Sequence, residues 1–240
     1  MKYLFPATLI CFLYFYSAIA EEKTVRVFVA LCDNATQSIV KVNPRIGDGD
    51  NPDTNLYWGC SDGLPLYFKK SGMWKLVKKE RDLSPAVLER ATFQHSSQSG
   101  LVLVADAYRG SEMKQCLLDF MSAAADEDAA GADLVAFIGH NGLMDFRDLE
   151  FAPAKGNRDA IVLCCLSNSF FSNRLKAVGA EPVLLTKSLM YPGSFILHDV
   201  LEGWRRRESK AQLRERAAKA YARNQKISTR SARSVFAELK

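Results

Sequence analysis

The sequence predicts an α/β domain: a mostly parallel sheet, three layers deep, with helices on both faces. Two observations predict it. Five short apolar runs, at residues 25–31, 101–105, 134–138, 161–164 and 183–185, are rich in Val, Ile and Leu and do not alternate with polar residues. Runs of that length and composition read as strands buried on both faces. Helical patterns separate most of them, and strand–helix alternation argues for parallel pairing with helices covering the sheet.

The elements follow in chain order. Residues 1–20, "MKYLFPATLICFLYFYSAIA", carry one lysine, an uncharged apolar stretch that includes Cys11, and Ala18-Ile19-Ala20. This is the layout of a cleaved secretory leader, and it implies export, to a bacterial periplasm or outside the cell. Residues 21–207 form the α/β domain. After the first strand, residues 33–82 read as a long irregular insertion ending in a hairpin of "LPLYF" and "MWKLV". Ser84-Pro85 predicts a helix over "SPAVLERATFQH", with an N-cap followed by proline in the first turn. Gly110-Ser111 opens "SEMKQCLLDFMSAAA", whose Met113, Leu117, Phe120, Met121 and Ala124 share one face. Ser167 or Asn168 opens "NSFFSNRLKAVG", closed by Gly179. "GSFILHDVLEGWRR" follows the last strand, and residues 208–240 predict two further helices that cap the domain.

Charge is uneven. Beyond Trp204 the chain has 12 Lys or Arg against 3 Glu, within a net charge of +5. Such a basic tail could meet an envelope surface or an acidic partner; nucleic acid is not an expected partner of an exported protein. Five cysteines follow residue 20: Cys32, Cys60, Cys116, Cys164 and Cys165. An oxidising compartment favours disulfides, and an odd count leaves a thiol over. Cys164 and Cys165 could pair with each other, or either with Cys32 or Cys60.

Sites in open parallel sheets form beyond the carboxyl ends of the strands. His140 follows the run ending at residue 138, and Cys165 ends the next. If those strands are parallel neighbours, about 5 Å apart, the two side chains can converge. A thiolate is a strong nucleophile, and a nearby imidazolium and helix N-terminus favour it. Gly139, Asn141 and Gly142 form the turn around His140. The Gly142 N–H and the helix start after Cys165 are candidate oxyanion donors. Cys164 and Cys32 are candidate accessory thiols, and Tyr57 and Trp58 candidate cleft residues. Asp48, Asp50 and Asp53 in "GDGDNPDTN" could serve Ca²⁺, although the spacing does not match an EF-hand loop. Otherwise no cofactor is expected: no spacing suggests zinc, and no glycine-rich phosphate loop follows a strand. His95, at the end of the 84–95 helix, and His198 read as structural.

The stretches "LVAFIGHNG" and "AIVLCCLSNSFF" resemble the histidine and cysteine strands of the caspase–legumain–gingipain group of cysteine peptidases. The resemblance covers element order over about residues 24–205 and implies a caspase-like fold. It also implies a Cys165–His140 dyad acting on a peptide or protein substrate. It selects Cys165 over Cys164, which still belongs to the strand. Asn141 between His140 and Gly142, and a short connection over residues 143–159, depart from the group's pattern. A non-catalytic binding protein on the same scaffold is the alternative, with the 33–82 insertion and the basic helices as its contact surfaces.

Overall fold

Strand β1, Lys23–Ala30, lies at the centre of a seven-stranded sheet of order β2-β3-β4-β1-β5-β6-β7. The computed structural model describes residues 22–125 and 131–239; the expected leader over residues 1–20, with Cys11, lies outside them. β4 (Gln98–Tyr108), β1, β5 (Leu134–Ile138), β6 (Asp159–Leu163) and β7 (Glu181–Leu184) run parallel. β2 (Trp74–Arg81) and β3 (Val87–His95) join antiparallel at one edge. All five apolar runs are strands, as their composition requires. The fold is thus α/β with a mostly parallel mixed sheet.

Side chains alternate between two apolar clusters because strand periodicity is two. Leu134, Ala136, Ile138, Ile161 and Leu163 pack with residues of α1 (Leu64–Lys70), α4 (Ser194–Trp204), α5 (Lys210–Gln225) and α6 (Thr229–Arg233). Val135, Phe137, Ala160, Val162 and Cys164 pack with α2 (Met113–Ala124) and α3 (Ser167–Ala177). Phe120 meets Phe28, Phe137 and Phe171 at ring separations of 5.8–6.2 Å. The expected C-terminal helices are α5 and α6. The first opens with a capping box between Ser209 and Gln212. Among the described residues, no helix is long and apolar enough to cross a membrane.

Two local expectations fail. The segment expected as a helix from Ser84-Pro85 is strand β3. Its inward residues are Glu89, Ala91, Phe93 and His95, all buried. Period two is there, but a carboxylate and an imidazole occupy inward positions and hide it. "LPLYF" is helix α1, not a strand: Pro65 sits in the first turn, and Leu64 and Phe68 are buried four residues apart. The hairpin is therefore β2–β3. His95 consequently ends a strand, and His198 lies in α4 as expected.

The buried carboxylate and imidazole of β3 each have charged or polar partners. Glu89 accepts from Trp58 Nε1 at 2.6 Å and pairs with Lys79 at 3.0 Å. His95 Nε2 meets Glu202 Oε1 at 2.9 Å, and Arg205 Nε donates to Glu202 Oε2 at 2.8 Å. Burial opposes ionisation of Glu202, yet the hydrogen bonds from Arg205 and His95 outweigh it and hold the carboxyl below its usual range. A depressed folded-state value stabilises the protein fully above the unfolded glutamate pKa, about 4.3. That contribution is lost as pH falls through the lower folded value. Glu202→Gln is therefore expected to cost about 3 kcal/mol at pH 7 and to flatten the acid limb of the stability–pH curve. Urea unfolding between pH 3 and pH 7 measures both.

Candidate active site

In the β5/β6 ladder, Ile138 pairs with Leu163. Pairing continues one step further, with Gly139 N–H donating to the Leu163 carbonyl at 3.3 Å. His140 and Cys165 thus stand two residues past a matched pair, at the carboxyl rim. Both line one cleft of about 520 Å³, together with Tyr57, Met144, Met190 and Tyr221 among others. The turns that carry them are tied directly: Asn141 Nδ2 donates to the Cys165 carbonyl at 2.7 Å. The structure brings His140, Gly139, Cys165 and Tyr57 together in the cleft wall and sets Asn141 beneath it, buried.

Local packing explains the glycines. A Cβ on Gly139 would come within 3.0 Å of the Ala30 carbonyl oxygen, and one on Gly142 within 2.5 Å of Met113 Cγ. Gly142 therefore lets the turn after His140 seat against α2. That turn is a 3-10 turn, Gly142–Met144. It folds the chain back so that Asp145 Oδ2 reaches His140 Nε2 at 2.9 Å. The carboxylate accepts from Nε2–H, which leaves Nδ1 as the nitrogen available for proton exchange.

After Cys165 the chain turns sharply. Leu166 is left-handed at φ 55°, and α3 begins at Ser167. A leucine in that region costs about 1–2 kcal/mol, and strained strand-to-helix turns recur where a nucleophile is presented. Met190 N–H approaches Cys165 Sγ at 3.4 Å, and the thiol in turn approaches the Met190 carbonyl at 3.5 Å.

Both expected oxyanion donors are already engaged. Gly142 N–H donates to the His140 carbonyl at 3.0 Å. At the start of α3, Ser167 N–H donates to Thr186 Oγ1. Asn168 N–H donates to the Thr186 carbonyl and Ser169 N–H to that of Leu166. The first turn is used to lock α3 onto the segment after β7. The Cys165 N–H has no acceptor among the described residues and is the donor left beside the sulfur.

The other cysteines differ in environment. The described cysteines are all free, so neither a vicinal Cys164–Cys165 bridge nor a pairing with Cys32 or Cys60 is present. Cys164 points into the cluster with α2 and α3, and burial, then the neighbouring Cys165, pushes its thiol well above the ordinary range. Cys32 is buried outside the cleft wall. Burial foremost, with Asp33, pushes it up to about 11 against a hydrogen bond with Tyr57 that lowers it. Cys116 is raised by burial. Cys60 is half-buried and raised less, by burial and Asp62.

Trp58 is not a cleft residue. Its indole is buried against Glu89, because that carboxylate needs a donor. Asp48, Asp50 and Asp53 do not converge either. Asp48 caps the Asp50 N–H, Asp50 pairs with Arg109, and Asp53 pairs with Arg81. Among the described residues, no group of three or more His, Cys, Asp or Glu could hold a metal ion. Much of the basic charge at the C-terminus is paired: Arg216 with Glu208, Arg223 with Asp199 and Arg233 with Glu215.

Sequence reasoning missed Asp145 and Met190. Asp145 left a signal, an acid five residues after His140 with a turn between. Met190 left none, since its approach to Cys165 spans 25 residues. A second cleft, of about 390 Å³, lies among Lys23, Asp133, Asp159 and Trp204. Lys23, Asp133 and Asp159 precede or open parallel strands, so it marks the opposite rim, and no Cys, Ser or Thr is among its described lining residues. Comparison of the chain with protein-family models, curated proteins and solved structures gives no match.

Burial and elevated thiol pKa both slow alkylation. With iodoacetamide at neutral pH, the native protein is expected to modify Cys165 and Cys60. Cys32, Cys116 and Cys164 should react only after denaturation. Peptide mass mapping of native and urea-treated samples reads the order.

Proposed function

We propose that the protein is an exported cysteine hydrolase of peptidase type on a caspase-like α/β scaffold. The observation that carries this reading is one cleft at the carboxyl rim that holds both a free, partly exposed thiol, Cys165, and an imidazole, His140, whose Nε2 is held by Asp145. The two apolar clusters support the three-layer arrangement that the resemblance implies, with α2 and α3 on one side and α1, α4, α5 and α6 on the other. The composition of residues 1–20 supports export.

In this mechanism Cys165 passes its thiol proton to His140 Nδ1, and the Sγ thiolate attacks the carbonyl carbon of a peptide bond. The developing oxyanion accepts from the Cys165 N–H. The C–N bond then breaks, and His140 Nδ1 hands a proton to the leaving amine. Water next adds to the thioester and gives a proton back to His140. The S–C bond breaks, releasing a carboxylic acid and the thiolate. Asp145 keeps the imidazole in the tautomer and orientation that this shuttling needs. Met190 N–H is a donor the thiolate can use between turnovers. Asn141 holds the two turns in mutual register, and its Oδ1 stays buried without a partner among the described residues. A fold retains such a cost most readily at a functional position.

A coupled pair behaves differently from two separate residues. His140→Ala is expected to slow alkylation of Cys165 at least tenfold at pH 7 while leaving Cys60 unchanged as an internal standard. It should also lower hydrolysis of a peptide-library substrate by about 10²–10⁴-fold; Cys165→Ala should abolish that hydrolysis. Asp145→Asn should give a smaller loss. Equal labelling of Cys165 in wild type and His140→Ala would sink the dyad and leave a binding protein on the same scaffold.

A further inference from the structure

We propose that the cleft over Cys165 selects an uncharged, apolar side chain on the acyl side of the scissile bond. The inference rests on the reading of Cys165 as the nucleophile and adds the substrate class. Its first basis is charge. Among the described residues, the cleft wall contains no Asp, Glu, Lys or Arg. A basic substrate side chain would find no carboxylate there, and an acidic one no guanidinium or ammonium. An unpaired charge taken out of water is strongly disfavoured. Tyr57 and Tyr191 do not supply a charge at neutral pH: burial foremost raises both, with Cys32 acting on Tyr57 and Asp62 on Tyr191. His140 is committed to the proton shuttle and to Asp145.

The second basis is exposed apolar surface. Val40 is 92% exposed and Leu189 is 73% exposed, and both line this cleft. They come from separate segments, one in the long loop after β1 and one after β7. Scattered exposed aliphatics need no explanation, but two at the mouth of one nucleophile-bearing cleft form an apolar rim. Ile39, Met144, Met190 and Pro192 continue the apolar lining inward. The volume, about 520 Å³, falls inside the range of roughly 300–1,000 Å³ usual for sites that bury a small ligand. By contrast, the cleft of about 540 Å³ beside Asp106 is walled by Arg26, Arg90 and Asp119. The absence of such groups over Cys165 is therefore local and not a property of the whole surface.

The test uses the full chain and peptidyl acyloxymethyl ketones identical except for the side chain next to the ketone: leucine, phenylalanine, arginine or aspartate. In the labelling step a bond forms between Sγ and the ketone methylene carbon while the C–O bond breaks and the carboxylate leaves. The leucine and phenylalanine probes are expected to label Cys165 at least tenfold faster than the arginine and aspartate probes. A site that gains about 10–200-fold per well-placed methylene can supply that margin. Leu189→Arg, at an exposed position that leaves the fold intact, should slow the leucine probe and speed the aspartate probe. Fastest labelling by the arginine or aspartate probe, still dependent on His140, would overturn the apolar preference and leave the nucleophile standing. If no peptidyl ketone labels Cys165, the nucleophile reading itself falls, and the preference with it.

Discussion

The register of β5 against β6 is the constraint on which the site depends. Ile138 pairs with Leu163, and the ladder runs on through the Gly139 N–H before the strands part. A slip of one residue would turn every side chain to the other face. Cys164 would then face the cluster over α1 and α4, and Cys165 would be buried against α2 and α3. The register is held by the two apolar clusters, each taking alternate residues of the same short strands. Packing thus chooses which of two adjacent cysteines meets solvent.

Around that rim the backbone is consumed by structure. The first turn of α3 is locked to Thr186, and the Gly142 N–H closes the turn at His140. The loop after β1 is tied down by side-chain amides. Asn55 both accepts from the Cys32 N–H and donates to the Cys32 carbonyl, and Gln37 bridges Leu31 and Gly110. These bonds let a long segment without regular structure present Val40 and Tyr57 at a defined place. Strain at Leu166 and an unpartnered Asn141 oxygen are retained in the same few residues.

Charge is distributed away from the cleft. Buried carboxylates sit elsewhere, each with donors: Glu89 with Trp58 and Lys79, Asp106 with Arg90 and Arg26, Glu202 with His95 and Arg205. The C-terminal helices that look strongly basic in composition spend much of that charge on acidic neighbours. The cleft over Cys165 is lined mainly by apolar and aromatic side chains, with Ser38, His140 and Gln225 as its polar members.

The five parallel strands, the paired positions of His140 and Cys165, and the helices after residue 110 were determined by the sequence alone. Buried parallel strands are continuous apolar runs, and a site at their carboxyl ends follows from chain direction. What stayed hidden had a physical reason in each case. β3 reads as a helix because Glu89 and His95 sit on its inward face, where only distant Trp58 and Glu202 make them tolerable. α1 reads as a strand because "LPLYF" is too short for its period to show. Trp58 looks like a cleft residue until Glu89 claims its indole. The tertiary structure alone decided which backbone donors were spent, that Asp145 turns back onto His140, and that Met190 lies against the sulfur. Those contacts depend on where separate segments stop in space, and no local pattern of residues encodes that.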